Sequence, residues 1–198
     1  NLAEKLGMFA AQLVEGRFQE LNINYSGEIT AYDLSSVTLA LAKGVLSPIL
    51  KETVNFVNAV SLIKQRGIKL RESKSSQEGE FVNLIQLEIK TDKETKKVLG
   101  TLSSNKQPRI VKIDDYYLEL YPVGEMVFIR NWDKPGLIGS LGTLMGKHNI
   151  NIAAMTFGRD KPGGKAISVL NVDSQVGADI QEKIKKLENI LTVKVIRT

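Results

Sequence analysis

The sequence predicts an α/β unit with a mainly antiparallel sheet and two helices, followed by an α+β unit of the order strand-helix-strand-strand-helix-strand. Two observations carry this. Apolar residues recur at helical spacing in a few short windows and alternate at the strand period through most of the remainder. Pro122-Val123-Gly124-Glu125 interrupts both patterns and marks a boundary, and 198 residues are enough for one large core or two small ones.

The chain opens on NLAEKLGMFAAQLVEG, with Leu2, Leu6, Phe9 and Leu13 at helical spacing and Gly16 where a helix would stop. It begins inside an amphipathic pattern, without a starting methionine or capping signal, and so reads as part of something longer. In FQELNINYSGEI, Leu21, Ile23 and Tyr25 alternate with polar residues as in a strand. LSSVTLALAKGVLSPIL and VNFVNAVSLIKQRG read as two helices, the second closed by Gly67. From Ile68 the pattern is strands: IKLRES, FVNLIQLEIKT, KKVLGTLSS, PRIVKID and YYLELYP. Turns are expected at Gln77–Glu80, Asp92–Thr95, Asn105–Pro108 and Asp114-Asp115. Beyond the boundary the expected elements are strand Met126–Asn131, helix Gly136–His148, strands Asn151–Arg159 and Lys165–Asp173, helix Ala178–Leu187 and strand Leu191–Arg197. That order is the ferredoxin-like βαββαβ arrangement.

Composition narrows the chemistry. With no cysteine there are no disulfides, thiolate metal sites or cysteine nucleophiles, and the single His148 rules out a multi-histidine metal site. No metal site is expected. His148 has no obvious partner for catalysis, so an independent hydrolase has no nucleophile–base pair. The net charge is +5, but bases alternate with acids, as in Lys93-Glu94-Thr95-Lys96-Lys97, and few aromatics lie among them. A solvated surface is the better reading than a nucleic-acid interface. Lys43 and Pro48 break the Val37–Leu50 run well short of a membrane span, and a cytoplasmic setting is expected.

The stretch from Trp132 to Ile152 resembles a phosphate-binding loop, but its glycines Gly136, Gly139, Gly142 and Gly146 do not fit. A dinucleotide fingerprint needs G-x-G-x-x-G, and its second glycine is absent; nor is there a P-loop lysine. Leu137, Leu141, Leu144, Met145 and His148 form an apolar helical stripe, which puts the last three glycines inside the helix. Glycine costs about 1 kcal/mol there, so close packing against a neighbour is expected. Asp133 is placed to cap the helix and Pro135 to open its first turn. Asn151 begins the strand expected to return past the same helix end. On composition alone these two residues cap and turn. With the open amides of Gly136 and Leu137, they could also hold the ammonium and carboxylate of an amino acid.

Asn131-Trp132-Asp133-Lys134-Pro135-Gly136, then Gly139, then Asn149-Ile150-Asn151-Ile152-Ala153, resembles the ACT domain, a ferredoxin-like amino-acid sensor. Tyr25-Ser26-Gly27-Glu28-Ile29, Val54–Ala59, Arg66-Gly67-Ile68, Glu72-Ser73-Lys74, Gly100-Thr101-Leu102 and Pro108-Arg109-Ile110-Val111 look like long-form D-3-phosphoglycerate dehydrogenases. The resemblance implies three parts: residues 1–16 as the helix leading out of an absent catalytic body, an intervening allosteric substrate-binding domain over 17–122, and an ACT domain over 123–198. It implies a regulatory role in the NAD-dependent first step of serine biosynthesis, with L-serine as feedback effector. NAD and the catalytic residues are expected in the domains this chain lacks, so the chain alone should catalyse nothing. The implied effector site is Asn131, Asp133, Gly136, Leu137 and Asn151, at an interface between two ACT domains. A dimer is therefore expected, and a tetramer for the full enzyme. The resemblance also places an anion site at Arg109, although Tyr121 and Asn171 stand where some relatives carry arginine. Arg71 and Lys74 are candidates for a second basic patch, weighed against ordinary strand-edge charge. The alternative class is a purely structural oligomerisation module with effector binding lost.

Overall fold

The computed structural model describes residues 1–75 and 81–198. They form two compact units, Asn1–Asp114 and Asp115–Thr198. The turn expected at Gln77–Glu80 lies outside the described residues.

The first unit contains α1 (Leu2–Leu13), β1 (Phe18–Gly27), a 3-10 turn (Glu28–Ala31), α2 (Ser35–Leu46), α3 (Ala59–Gln65), β2 (Lys69–Ser75), β3 (Asn83–Thr91), β4 (Thr95–Leu102) and β5 (Pro108–Ile113). The sheet order within this unit is β2-β1-β3-β4-β5, and β6 (Tyr116–Leu120) opens the second unit. β1 pairs with β2 in parallel, as a crossover through α2 and α3 requires, while the β1–β3, β3–β4 and β4–β5 pairs are antiparallel. Strand alternation sends Leu21, Ile23 and Tyr25 inward with Ile85, Leu87 and Ile89, all nearly inaccessible to water.

Two helices were expected on this sheet, and α1 is a third. Its Ala3, Leu6, Phe9, Ala10 and Leu13 are buried, and Leu2 and Leu6 lie over Gly100 of β4. α1 also meets α2 at very close range. A Cβ on Gly44 would stand 2.1 Å from the Glu4 carbonyl oxygen, and one on Gly7 would stand 2.5 Å from that of Leu41. Glycine at the crossing lets the two backbones touch. Beside it, Lys43 pairs with Glu4 at 2.8 Å.

α3 begins at Ala59, later than the pattern from Val54 suggested. Asn55 Oδ1 accepts from the amides of Val57 and Asn58, and Asn58 Oδ1 accepts from Asn55 N–H at 2.8 Å. Short amide side chains thus satisfy the donors that a longer helix would use. Buried Tyr25 is joined through Thr38 to Glu72 by bonds of 2.8 and 2.7 Å. Burial pushes the Tyr25 hydroxyl up to about 12, so it remains a donor.

The second unit adds β7 (Glu125–Trp132), α4 (Leu137–Lys147), β8 (Ile152–Arg159), β9 (Lys165–Val172), α5 (Ala178–Lys185) and β10 (Ile190–Arg197). Its antiparallel sheet has the order β10-β7-β9-β8, the expected βαββαβ arrangement. Leu137, Leu141 and Met145 of α4 and Ile180 and Ile184 of α5 close over Val127, Ile129, Leu170 and Val193. β6 lies against β8: Thr156 Oγ1 donates to the Glu119 carbonyl at 3.2 Å, and a Cβ on Gly158 would stand 2.8 Å from the Tyr117 oxygen. Glu125 joins the sheet ends, accepting from Arg197 Nε at 2.6 Å and from Val176 N–H. Burial alone would raise the Glu125 carboxyl, but these hydrogen bonds and the Arg197 charge bring it below the ordinary value.

Gly44→Ala should lower stability in urea unfolding by about 1–3 kcal/mol, because the new methyl must push α1 off α2. Glu125→Gln should cost on the order of 1 kcal/mol near neutral pH, as one charge-assisted pair is lost. Because Glu125 is depressed in the fold, its contribution is complete above the unfolded carboxylate pKa of about 4.3 and fades as pH falls through the folded value. Wild type and Glu125→Gln should therefore converge in stability on acidification.

Candidate functional site

The loop between β7 and α4 is built differently from the sequence expectation. Helix α4 starts at Leu137, and its N-cap is Gly136 at φ 90°, with no side-chain cap. Asp133 does not cap. Its N–H donates to the Gly164 carbonyl at 2.8 Å, which turns the residue toward the β8–β9 hairpin. There Asp133 Oδ2 accepts from Arg159 at 2.9 Å and from Gly163 N–H at 3.3 Å. Those hydrogen bonds, that of Arg159 foremost, hold the Asp133 carboxyl below the ordinary carboxylate value. Left-handed Gly136 accounts for the difference: it bends the chain into the helix where a capping side chain would otherwise be needed.

The other expected effector residues are spread over the unit. Asn131 is buried; its amide donates to the Trp132 carbonyl at 3.0 Å, and its Oδ1 accepts from Ser168 at 2.9 Å. Gly136 is exposed, whereas the Leu137 side chain belongs to the core. Leu137 N–H makes only a long contact of 3.5 Å with the Lys134 carbonyl. Asn151 is exposed and donates to Asp173 Oδ2 at 2.6 Å.

Asn151 does not return past the helix start. Trp132 pairs with Lys165 at one end of the sheet, whereas Ile152 and Glu125 both pair with Val172 at the other. Asp133 therefore lies before the N-terminal end of α4 and Asn151 just beyond its C-terminal end. The helix between them has eleven residues, a rise of about 16 Å. One copy of this unit does not bring the two side chains together.

Between them, α4 carries a bare face. A Cβ on Gly139, Gly142 or Gly146 would meet nothing within 4 Å, and Ile138 is 57% exposed. The close packing expected for these glycines is not made among the described residues. β8 is an edge strand on which Ala153, Ala154 and Phe157 are exposed. His148, expected on the stripe or at the helix end, is the C-cap of α4 and stands 3.2 Å from Lys183 Nζ.

The basic candidates fall on the first unit. Arg109 is buried on β5 and donates to the Pro108 carbonyl at 3.0 Å. Arg71 pairs with Glu20 at 3.2 Å, and Lys74 donates to the carbonyls of Thr30 and Tyr32. Arg71 is opposite Asn22 and Lys74 opposite inward-facing Tyr25, so strand alternation puts them on different faces and no shared patch forms. In the second unit, Asn171 spends its amide on the carbonyls of Tyr121 and Val123. The sequence reading missed Arg159 and Asp173, the partners of Asp133 and Asn151. Their spacings of 26 and 22 residues carry no local signal.

Among the described residues, no helix is long and apolar enough to cross a membrane, and no group of three or more His, Cys, Asp or Glu could hold a metal. Comparison with known proteins supplies the family. Residues 1–114 match the D-3-phosphoglycerate dehydrogenase intervening domain, and residues 126–189 match the ACT domain. The chain is 37% identical over 195 residues to a D-3-phosphoglycerate dehydrogenase of Methanocaldococcus jannaschii, covering 98% of this chain and 37% of that protein. It is 35% identical over 196 residues to one of Bacillus subtilis, covering 99% and 37%. With one of Synechocystis it shares 34% over 191 residues, covering 96% and 34%. The chain thus spans little more than a third of the length of these relatives. It belongs to the D-3-phosphoglycerate dehydrogenase intervening-domain family, with an ACT domain following along the same chain.

Proposed function

We propose that this chain is the regulatory region of a D-3-phosphoglycerate dehydrogenase, and that L-serine binds it between two ACT domains paired about a two-fold axis. The carrying observation is the position of Asp133 and Asn151 at opposite ends of α4, with a glycine face between them that nothing among the described residues covers. A two-fold axis across α4 sets two such helices antiparallel, and the glycines allow close approach. Asp133 of one copy then faces Asn151 of the partner subunit, twice per dimer. Asp133 offers a carboxylate to the ligand's ammonium group. Gly136 and Leu137 offer backbone N–H groups at the helix start, and Asn151 a side-chain amide. A zwitterionic amino acid with a short polar side chain suits that set. Serine acts on the whole enzyme through its difference in affinity for two domain arrangements. NAD and the oxidation of 3-phosphoglycerate belong, in this proposal, to residues that the chain does not contain.

A structural module without effector binding is the second reading. It is favoured by the internal bonding of Asn131, and by Asn151 already donating to Asp173. Calorimetric titration of the 198-residue chain with L-serine separates the two. Saturable heat should be lost in Asp133→Ala and in Asn151→Ala alike. If each site is shared between copies, mixing the two variants should restore about a quarter of the sites, since only mixed dimers rebuild one intact pair. Recovery of nothing on mixing would overturn the shared site. Gly142→Leu should leave the fold intact, because its side chain enters open space, yet convert the dimer to monomer in sedimentation.

A further inference from the structure

The hydrogen bonds of Asp133 are uneven. Arg159 and Gly163 N–H both donate to Oδ2, and among the described residues Oδ1 accepts none. The backbone of Asp133 is bound to the same hairpin, its N–H donating to the Gly164 carbonyl. That hairpin is well specified. Asp160 N–H bonds the Lys165 carbonyl at 3.2 Å, Gly164 N–H bonds the Lys161 carbonyl at 3.0 Å, and Gly163 is left-handed at φ 71°. A Cβ on Gly164 would stand 2.2 Å from Asp160 Oδ1, so the turn closes tightly on that residue. Arg159 is the last residue of β8 and pairs with Ala166 in the sheet. Its backbone is therefore fixed by the strand ladder while its guanidinium reaches across to the loop before α4.

We propose that Arg159 is a positioning residue of the effector site: it holds Asp133 Oδ2 to the β8–β9 hairpin so that Oδ1 is the oxygen offered to the ligand's ammonium group. This rests on the amino-acid site proposed above and names the residue that prepares it. A lone aspartate at the tip of a loop would have to give up rotamer freedom on binding. The Arg159 and Gly163 bonds give it up beforehand. Arg159 also carries a positive charge that opposes an approaching ammonium, and this charge acts across solvent at a site where the Arg159 side chain is 58% exposed. Orientation outweighs that screened repulsion, because the guanidinium occupies the oxygen that the ligand does not use. Lys134, next along the chain, adds positive charge at the carboxylate, and Asp160, Lys161 and Lys165 are the other charged residues of the hairpin.

Calorimetric titration of the 198-residue chain with L-serine, for wild type, Arg159→Met and Arg159→Lys at a series of acidic pH values, tests this. Arg159→Met should weaken binding about threefold to tenfold, and Arg159→Lys, which keeps a cationic donor, should restore most of it. The acid limb is the second readout. The Arg159 bond depresses Asp133, so binding by wild type persists to low pH and is lost as pH falls through that depressed value. In Arg159→Met the limb should move to higher pH, toward the ordinary aspartate value of about 3.9. Equal or tighter binding by Arg159→Met overturns the proposal, since Arg159 would then be neutral or a competitor. Weaker binding with an unmoved acid limb also overturns it, because Arg159 would not be acting through Asp133. If wild type binds no serine, the effector reading itself falls, and this inference with it.

Discussion

A strand-helix-strand crossover returns the chain to the end of the sheet from which it set out, and the candidate site depends on that constraint. β7 and β8 run in the same direction on either side of β9, and α4 spans the distance back between them. Two residues that look close along the sequence, Asp133 before the helix and Asn151 after it, are thereby held at opposite ends of it. The fold of one unit cannot unite them. It can only present them at the two ends of a face that a second copy would meet in reverse.

Glycine has opposite roles in the two units, and the local sequence does not distinguish them. At Gly7 and Gly44 the backbones of α1 and α2 are in contact, and any side chain would force them apart. At Gly139, Gly142 and Gly146 a Cβ would meet nothing within 4 Å among the described residues, and the cost of glycine in a helix has no compensating contact there. A second copy seated on this face, as proposed, would offset that cost. Ala153, Ala154 and Phe157 on edge strand β8 are exposed in the same unit.

Polar groups are likewise divided between holding the fold and remaining available. Asn131 and Ser168 satisfy each other beneath the surface, and Glu125 gathers Arg197 and the Val176 amide at the sheet end. Buried or nearly buried groups of this kind must be paired, because an unpaired one would carry its full desolvation cost. Asp133 is a third exposed and escapes that requirement. One of its oxygens is bound by the hairpin while the other accepts no bond among the described residues.

The sequence by itself determined the order and type of the elements. Alternation in Leu21, Ile23 and Tyr25, the stripe Leu137, Leu141 and Met145, and turn residues between them are local signals, and each element in the second unit lies within a residue or two of its expected bounds. It also identified Asp133 and Asn151 as residues to examine, through their place around α4. Only the tertiary structure decided what each of them touches. Arg159 reaches Asp133, and Asp173 reaches Asn151, across sheet pairings whose register no local pattern encodes. The start of α3 was displaced for a different reason: interlocked Asn55 and Asn58 took donors that helical periodicity alone would have assigned to the backbone. Periodicity reports which side of an element is buried. It is silent on what lies opposite, because that depends on how distant elements are brought together.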